Sequence, residues 1–292
     1  MKIILDTDIG SDIDDALALA YLLTEPRCDL LGVTTVTPYP HLRASMCSAI
    51  CRNAGRPDIP IHVGASQGMR QPTIQKDAAQ ARALGNWDCE KFAENNTAIE
   101  FLHRQINEHP GEITLLAIGP MTNIGLLLAT HPEDAAKLKC LALMCGRFLH
   151  DGGPEWNAIN DPDAAFITYG NGPQAKPPEH FSCGLDVTTK CVMSRDDARR
   201  RFKDFKILAP VADFAEVWFE HSPNITFHDP LAAVCCFDPD VCTWRDAYVR
   251  IPMTHPTTGW TIPDWNAAEK PHRIATDVDS ARFFEAYFKN MK

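Results

Sequence analysis

The chain has 292 residues, a hydrophobic share of 45% and a formal net charge of -10. Such a length and apolar content build a substantial core. The acidic balance excludes a partner gripped by a nucleic-acid backbone, and no run of about 20 apolar residues exists to span a membrane. The basic triplet Arg199, Arg200 and Arg201 reads as the solvated face of a helix. Eleven cysteines, an odd count with no C-x-x-C pair, read as reduced core thiols and not as zinc ligands. Because Met1-Lys2 leads straight into a strand, no secretion leader is read and a cytoplasmic location is expected.

In chain order, Lys2 to Leu5 reads as a short buried strand, Gly10 and Ser11 as a turn, and Asp15 to Leu23 as a buried helix. Asp29 to Thr37 is a β-branched apolar run and Arg43 to Arg52 the helix after it. A third strand, Ile59 to Val63, leads into a long polar stretch from Gly64 to Asn96, expected to be a lid or a surface excursion with small helices. Alternation resumes with a helix over Thr97 to Asn107, a strand over Glu112 to Ile118, the turn Gly119 to Asn123, and a helix over Ile124 to Thr130. Thr122 and Asn123 are read as caps of that helix. Then come a strand over Leu138 to Met144, a polar glycine-rich segment from Gly146 into a helix near Asp163, and a strand over His180 to Cys183. Helices follow over Arg195 to Phe202, Val211 to Phe219 and after His228-Asp229-Pro230. Short strands at Ala247 to Ile251, Trp260 to Ile262 and Arg273 to Ala275, and a helix over Ser280 to Lys289, complete the chain. Repeated strand then helix predicts an α/β fold in one domain over residues 1–292, with a mostly parallel open sheet and helices on both faces. No G-x-G-x-x-G or P-loop lysine pattern supports dinucleotide or nucleoside triphosphate binding.

Five aspartates, Asp6, Asp8, Asp12, Asp14 and Asp15, crowd the first strand-to-helix junction. One or two acids there would serve the helix, Asp12 as a cap and Asp14 and Asp15 through the dipole. Five are a different problem. Two unit charges about 4 Å apart repel by roughly 4 kcal/mol at an effective dielectric near 20, so the cluster spreads into water, takes up protons or binds a cation. Ligands of open α/β sheets sit at strand C-termini, and a hard cation with oxygen ligands suits this place; calcium, with its flexible shell of about 6 to 8 oxygens, is favoured over magnesium.

Four motifs then stand in order: Asp6-Thr7-Asp8-Ile9-Gly10 with Asp14-Asp15-Ala16; Ala117 to Asn123; Glu155-Trp156-Asn157 with Asp161 to Ala165; and His228-Asp229-Pro230-Leu231. In order and spacing, over nearly the whole chain, this resembles the nucleoside hydrolase family of inosine-uridine type, and Ile274 to Phe283 is similar to that family's last strand and helix. The resemblance implies a Ca2+ ion held by the side chains of Asp8, Asp15 and Asp229 and the main-chain carbonyl of Ile118. It implies that Asp14 takes the proton of an attacking water, that His228 serves the departing base, and that Glu155 and Asn157 grip the ribose. The substrate implied is a small-molecule riboside, cleaved to ribose and free base, and the assembly a homodimer or homotetramer.

The chain departs from the family at three places. Thr37-Pro38-Tyr39-Pro40 stands where a glycine-asparagine pair is usual, Gly85-Asn86-Trp87 where a histidine-glycine is, and Leu149 where an asparagine is expected. Tyr39, Trp87, Phe148 and Trp156 are candidates for an aromatic wall beside a flat leaving group, with Tyr39 and Trp156 the ones assigned to substrate. Two other readings are compatible with the residues: a riboside-binding protein that has lost turnover, and a phosphatase with Asp6 as nucleophile and Asp8 as its acid.

Overall fold

The computed structural model describes residues 1–149, 153–171 and 179–292. His150-Asp151-Gly152 of the polar segment lie outside the described residues. The chain runs β1 (Lys2–Thr7), α1 (Asp14–Thr24), β2 (Asp29–Thr35), α2 (Pro40–Asn53), β3 (Ile61–Val63), α3 (Ala98–Glu108), β4 (Ile113–Ala117) and α4 (Thr122–Thr130). It continues with β5 (Cys140–Met144), α5 (Trp156–Asn160), α6 (Pro162–Thr168), β6 (His180–Cys183), α7 (Leu185–Thr188), β7 (Val192–Ser194), α8 (Arg195–Phe202) and α9 (Ala209–Trp218). It closes with β8 (Asn224–Thr226), α10 (His228–Cys235), β9 (Cys242–Arg250), β10 (Ile262–Asp264), β11 (His272–Val278) and α11 (Ser280–Phe288).

Nine strands form one sheet in the order β10-β9-β11-β6-β5-β4-β1-β2-β3. From β3 to β11 every pairing is parallel, and β9 and β10 add an antiparallel edge. The period-2 geometry of a strand divides the core. Ile3 and Leu5 face the layer of α1, α2, α9, α10 and α11, whereas Ile4 faces the layer of α3, α4 and α6. All three are fully buried, each stabilising the fold by about 1.5–3 kcal/mol. Ala142 and Met144 on one side and Leu141 and Leu143 on the other repeat the division in β5.

The strand order fixes where a site can form. From β1 the chain moves outward to β2 and β3, then crosses back to β4 on the other side of β1. The C-terminal ends of β1 and β4 therefore flank a topological switch point, the crevice in which open α/β sheets bind ligands. Gly119, just past β4, is required there: a Cβ would stand 2.7 Å from the Asp8 carboxylate and 2.9 Å from its amide.

Several local expectations change. Ile13, not Asp12, caps α1, without a side-chain bond, and Asp12 accepts the amide of Ile13 at 2.6 Å. Thr122 and Asn123 do not cap α4, because each is drawn into a longer-range contact: Thr122 donates to Asp161 at 2.8 Å, and Asn123 donates to Asp6 at 2.7 Å. The stretch from Gly64 to Asn96 holds one 3-10 run, Ala79–Asn86, and folds back over the β1 end through the Gln80 amide on the Ser11 carbonyl at 3.0 Å.

Candidate active site

The N-termini of α1 and α10 meet above the C-terminal end of β1. Asp14 and Asp15 open α1, and His228 and Asp229 open α10. The positive ends of the two helix dipoles and their free amides attract carboxylates to this place. The Asp229 amide donates to Asp14 at 3.1 Å, and the Thr7 hydroxyl donates to Asp15 at 2.5 Å. Oxygen atoms of Asp14, Asp15 and Asp229 all lie within 4.8 Å of one another, although more than 200 residues separate Asp14 from Asp229 in sequence. Asp8 is outside that triple but lines the same cavity, next to the Ile118-Gly119 turn.

The cavity holds about 520 Å³ and is walled by Asp8, Asp12, Ile118, Glu155, Trp156, Asn157 and His228 besides the three convergent aspartates. The structure thus gathers nine of the ten sequence-predicted site residues into one pocket. Tyr39 is the exception. Thr37 and Tyr39 both adopt left-handed backbone (φ 73° and 62°), and between Pro38 and Pro40 this turns the phenol into a second cavity of about 790 Å³ beside His41, Lys76 and Glu94. Trp87 is also elsewhere, donating to Asp213 at 3.1 Å, and Phe148 is buried in the core beneath Gly146 and Gly184. Of the aromatic wall, Trp156 alone reaches the pocket.

Electrostatics test whether the pocket suits a cation. Burial, added to by Glu155, pushes Asp8 up to about 6, and burial with the charge of Asp8 pushes Asp14 up to about 7. Burial and the neighbouring carboxylates raise Asp15 and Asp229 well above the usual carboxylate range. Among the described residues none of these four acids is in a salt bridge. Arg43 is near enough to ease Asp8 and Asp15, but one guanidinium does not balance four buried carboxylates, and that excess of like charge is the condition a bound cation relieves. The convergent donors are all oxygen, so the donor set fits a hard divalent ion.

Around this floor the polar groups are fixed by backbone. Glu155 caps α5, accepting amides of Asn157 at 2.9 Å, Ala158 at 3.1 Å and Gly146 at 3.1 Å. Asn157 donates to the carbonyls of Ile118 at 2.8 Å and Met144 at 3.0 Å, tying the ends of β4 and β5 together. His228 shares a 2.7 Å hydrogen bond between Nδ1 and the Thr188 hydroxyl, and burial lowers its pKa against the pull of Asp12 and Glu155. The Trp156 indole donates to Gln75 at 3.2 Å, and the residue is 49% exposed.

Sequence reasoning missed several participants. Gln75, Asp77, Ala79 and Gln80 of the long stretch, and Val217, Trp218 and His221 at the end of α9, also line the pocket. Arg43 is the largest omission. It is fully buried, with Nη1 donating to the carbonyls of Asp8 and, at 2.8 Å, Ile9, Nη2 to Asp77 at 2.7 Å and Nε to Pro38 at 3.0 Å. It pins the acidic loop from behind without touching its carboxylates. A single arginine on an apolar helix face was the only signal for it.

Asp6, by contrast, is closed off. It is 0% exposed, accepts from Thr34 at 2.5 Å and Asn123 at 2.7 Å, and burial pushes it up to about 7 against those two bonds. A carboxylate with no path to the pocket is not an attacking nucleophile, which removes the phosphatase reading.

Comparison with known proteins agrees with this arrangement. A uridine nucleosidase 1 from Arabidopsis thaliana is 28% identical over 306 residues, covering 95% of this chain and 89% of the relative. A non-specific ribonucleoside hydrolase, RihC, from Salmonella newport (strain SL254) is 29% identical over 304 residues, covering 97% of this chain and 95% of the relative. Among solved structures, a purine-preferring ribonucleoside hydrolase from Gardnerella vaginalis superposes with a TM-score of 0.84 at 25% identity, covering 99% of this chain and 98% of that one. The family model described as inosine-uridine preferring nucleoside hydrolase matches residues 3–285, and the chain belongs to that family, as a hydrolase of N-glycosyl bonds in nucleosides.

Proposed function

We propose that this protein is a calcium-dependent ribonucleoside hydrolase, cleaving the N-glycosidic bond with water to give ribose and free base. The observation that carries the reading is the convergence of Asp14, Asp15 and Asp229 within 4.8 Å in a pocket that also contains Asp8 and the Ile118 carbonyl. Asp8, Asp15, Asp229 and the Ile118 carbonyl would hold the ion. Calcium there supplies neutralising charge, lowers the pKa of a water and anchors sugar hydroxyls.

The chain's own residues do the rest. Asp14 takes the proton of the attacking water; its Oδ2 is anchored on the Asp229 amide, which fixes the carboxylate in the pocket. As the bond to the base breaks, positive charge grows on the sugar, and the surrounding carboxylates stabilise it. In the tautomer whose Nδ1 accepts the Thr188 hydroxyl, neutral His228 keeps its proton on Nε2 and offers it as a hydrogen bond to the departing base, which takes its own proton from solvent. Glu155 and Asn157, held rigid by backbone, orient the ribose, and Trp156 offers a flat face to the base.

The relatives named above act, by their names, on uridine, on ribonucleosides without specificity and on purine ribonucleosides, which supports a ribonucleoside as the substrate class. The family likeness also supports a homo-oligomer, dimer or tetramer, in the cytoplasm; among the described residues no helix is long and apolar enough to cross a membrane. The test is reducing-sugar release from uridine, cytidine, inosine, adenosine and guanosine by the purified chain. At least one releases ribose with Ca2+ present, and release stops after chelation and in Asp14→Asn. No release from any of the five with Ca2+, or undiminished release after chelation, overturns the proposal.

A further inference from the structure

At the edge of the sheet opposite the pocket, three elements bring a second set of ligand atoms together. His103 lies on α3, His131 follows the last residue of α4, and Glu133 is the second residue of the 3-10 turn Pro132–Lys137. One ligand atom from each lies within 4.8 Å of the other two. The two imidazoles stack with centroids 3.7 Å apart and planes inclined by 21°, so their nitrogens stand side by side. His131 Nδ1 is 3.7 Å from the Glu133 carboxylate.

The surroundings of His103 distinguish this cluster from an accidental stack. Its Nδ1 meets the Asp134 carboxylate at 2.7 Å, and Asp134 is fully buried, held also by Asn107 at 3.0 Å and Lys137 at 3.2 Å. A carboxylate on Nδ1 leaves the Nε2 lone pair available to a ligand and fixes the ring's orientation, the outer-shell arrangement of metal-binding histidines. The side chains of His103 and His131 are 34% and 36% exposed and Glu133 is 55% exposed, so an ion reaches them from solvent. The stack leaves the two lone pairs nearly parallel, so closing a tetrahedral set, with donors about 3.3–3.5 Å apart, takes rotation of His131 out of the stack while Asp134 holds His103 in place.

We propose that His103, His131 and Glu133 form a binding site for a first-row transition ion of the zinc class, separate from the acidic pocket. Imidazole nitrogen with one carboxylate suits zinc, copper or nickel, whereas the oxygen-only pocket suits a hard ion, so the two sites differ in selectivity. An ion here clamps α3 to the end of α4 and the turn after it. The site does not depend on the catalytic reading above.

The test is calorimetric titration of the full chain with Zn2+ in millimolar Ca2+, which keeps hard-ion sites filled. Wild type takes up one more Zn2+ than His103→Gln and one more than His131→Gln, and its melting temperature rises with Zn2+ by more than that of either variant. Asp134→Asn weakens the same site by roughly 10- to 100-fold. Far-ultraviolet circular dichroism and a single cooperative melt without Zn2+ verify the folding of the two histidine variants. Equal Zn2+ stoichiometry in wild type and both variants, or loss in only one of the two, overturns the proposal.

Discussion

Two crowds of buried titratable groups occupy opposite edges of the same sheet. At the C-terminal edge Asp8, Asp14, Asp15 and Asp229 face a solvent-connected cavity. At the N-terminal edge His180 and His272, the first residues of β6 and β11, pack edge to face at 4.9 Å around Tyr169. Each of these imidazoles leaves one buried ring nitrogen unpartnered, yet neither lines a described cavity. The imidazoles meet burial by staying neutral. The carboxylates converge on open space with oxygens that a cation can bridge. Crowding and burial are therefore common to both; what makes one of them a site is shared, reachable volume.

The strongest way to break the comparison is at the carboxylates. Asp15→Asn or Asp229→Asn removes a donor from the ion, and nucleoside hydrolysis measured with Ca2+ falls by about 10³-fold or more while the melting temperature of the ion-free protein holds or rises. Arg43→Met strikes the layer behind the pocket. It abandons buried carbonyls of Asp8, Ile9, Pro38 and Asp77 and destabilises the fold by roughly 3–5 kcal/mol in denaturant unfolding.

The histidine edge predicts acid lability. Burial holds His272 down to about 4 from its ordinary 6.5, and His180 well below the ordinary value. The unfolded chain then takes protons that the folded imidazoles refuse, so their contribution is full above pH 6.5 and is lost as pH falls toward 4, opposite in sign to that of the ion-free pocket carboxylates. The His272 share is about 3 kcal/mol, read as the stability difference between wild type and His272→Gln narrowing over that interval. The smallest effects sharpen the boundary of the pocket. Trp156→Ala raises KM roughly 3- to 10-fold through lost contact with the base. Tyr39→Ala, in the neighbouring cavity, leaves kcat/KM within about twofold.

Much of this was legible in the residues. The strand-helix alternation predicted the parallel sheet because each strand is a short apolar run and each helix a longer one. Asp14 and Asp15 were legible because carboxylates at a strand-to-helix junction have few structural uses in such number, whereas Asp229 was reached only through the family resemblance of His228-Asp229-Pro230-Leu231. Tyr39 was misread for a geometric reason: two left-handed residues in succession are not signalled by threonine and tyrosine, so the direction of the loop after β2 was hidden. Glu155 and Asn157 reach the pocket as expected, but their bonds to backbone amides and carbonyls depend on the distance between the ends of β4 and β5, which no local pattern records. Arg43 and Gln75 were invisible because their partners lie on other elements.

The most direct measurement is calcium titration of chelator-stripped protein, following heat and melting temperature in wild type, Asp15→Asn and Asp229→Asn. The account predicts one Ca2+ bound per chain and a rise in melting temperature for wild type, both absent in the two variants. Wild type that takes up no Ca2+, or variants that bind it as wild type does, would contradict the claim that these carboxylates exist to hold an ion.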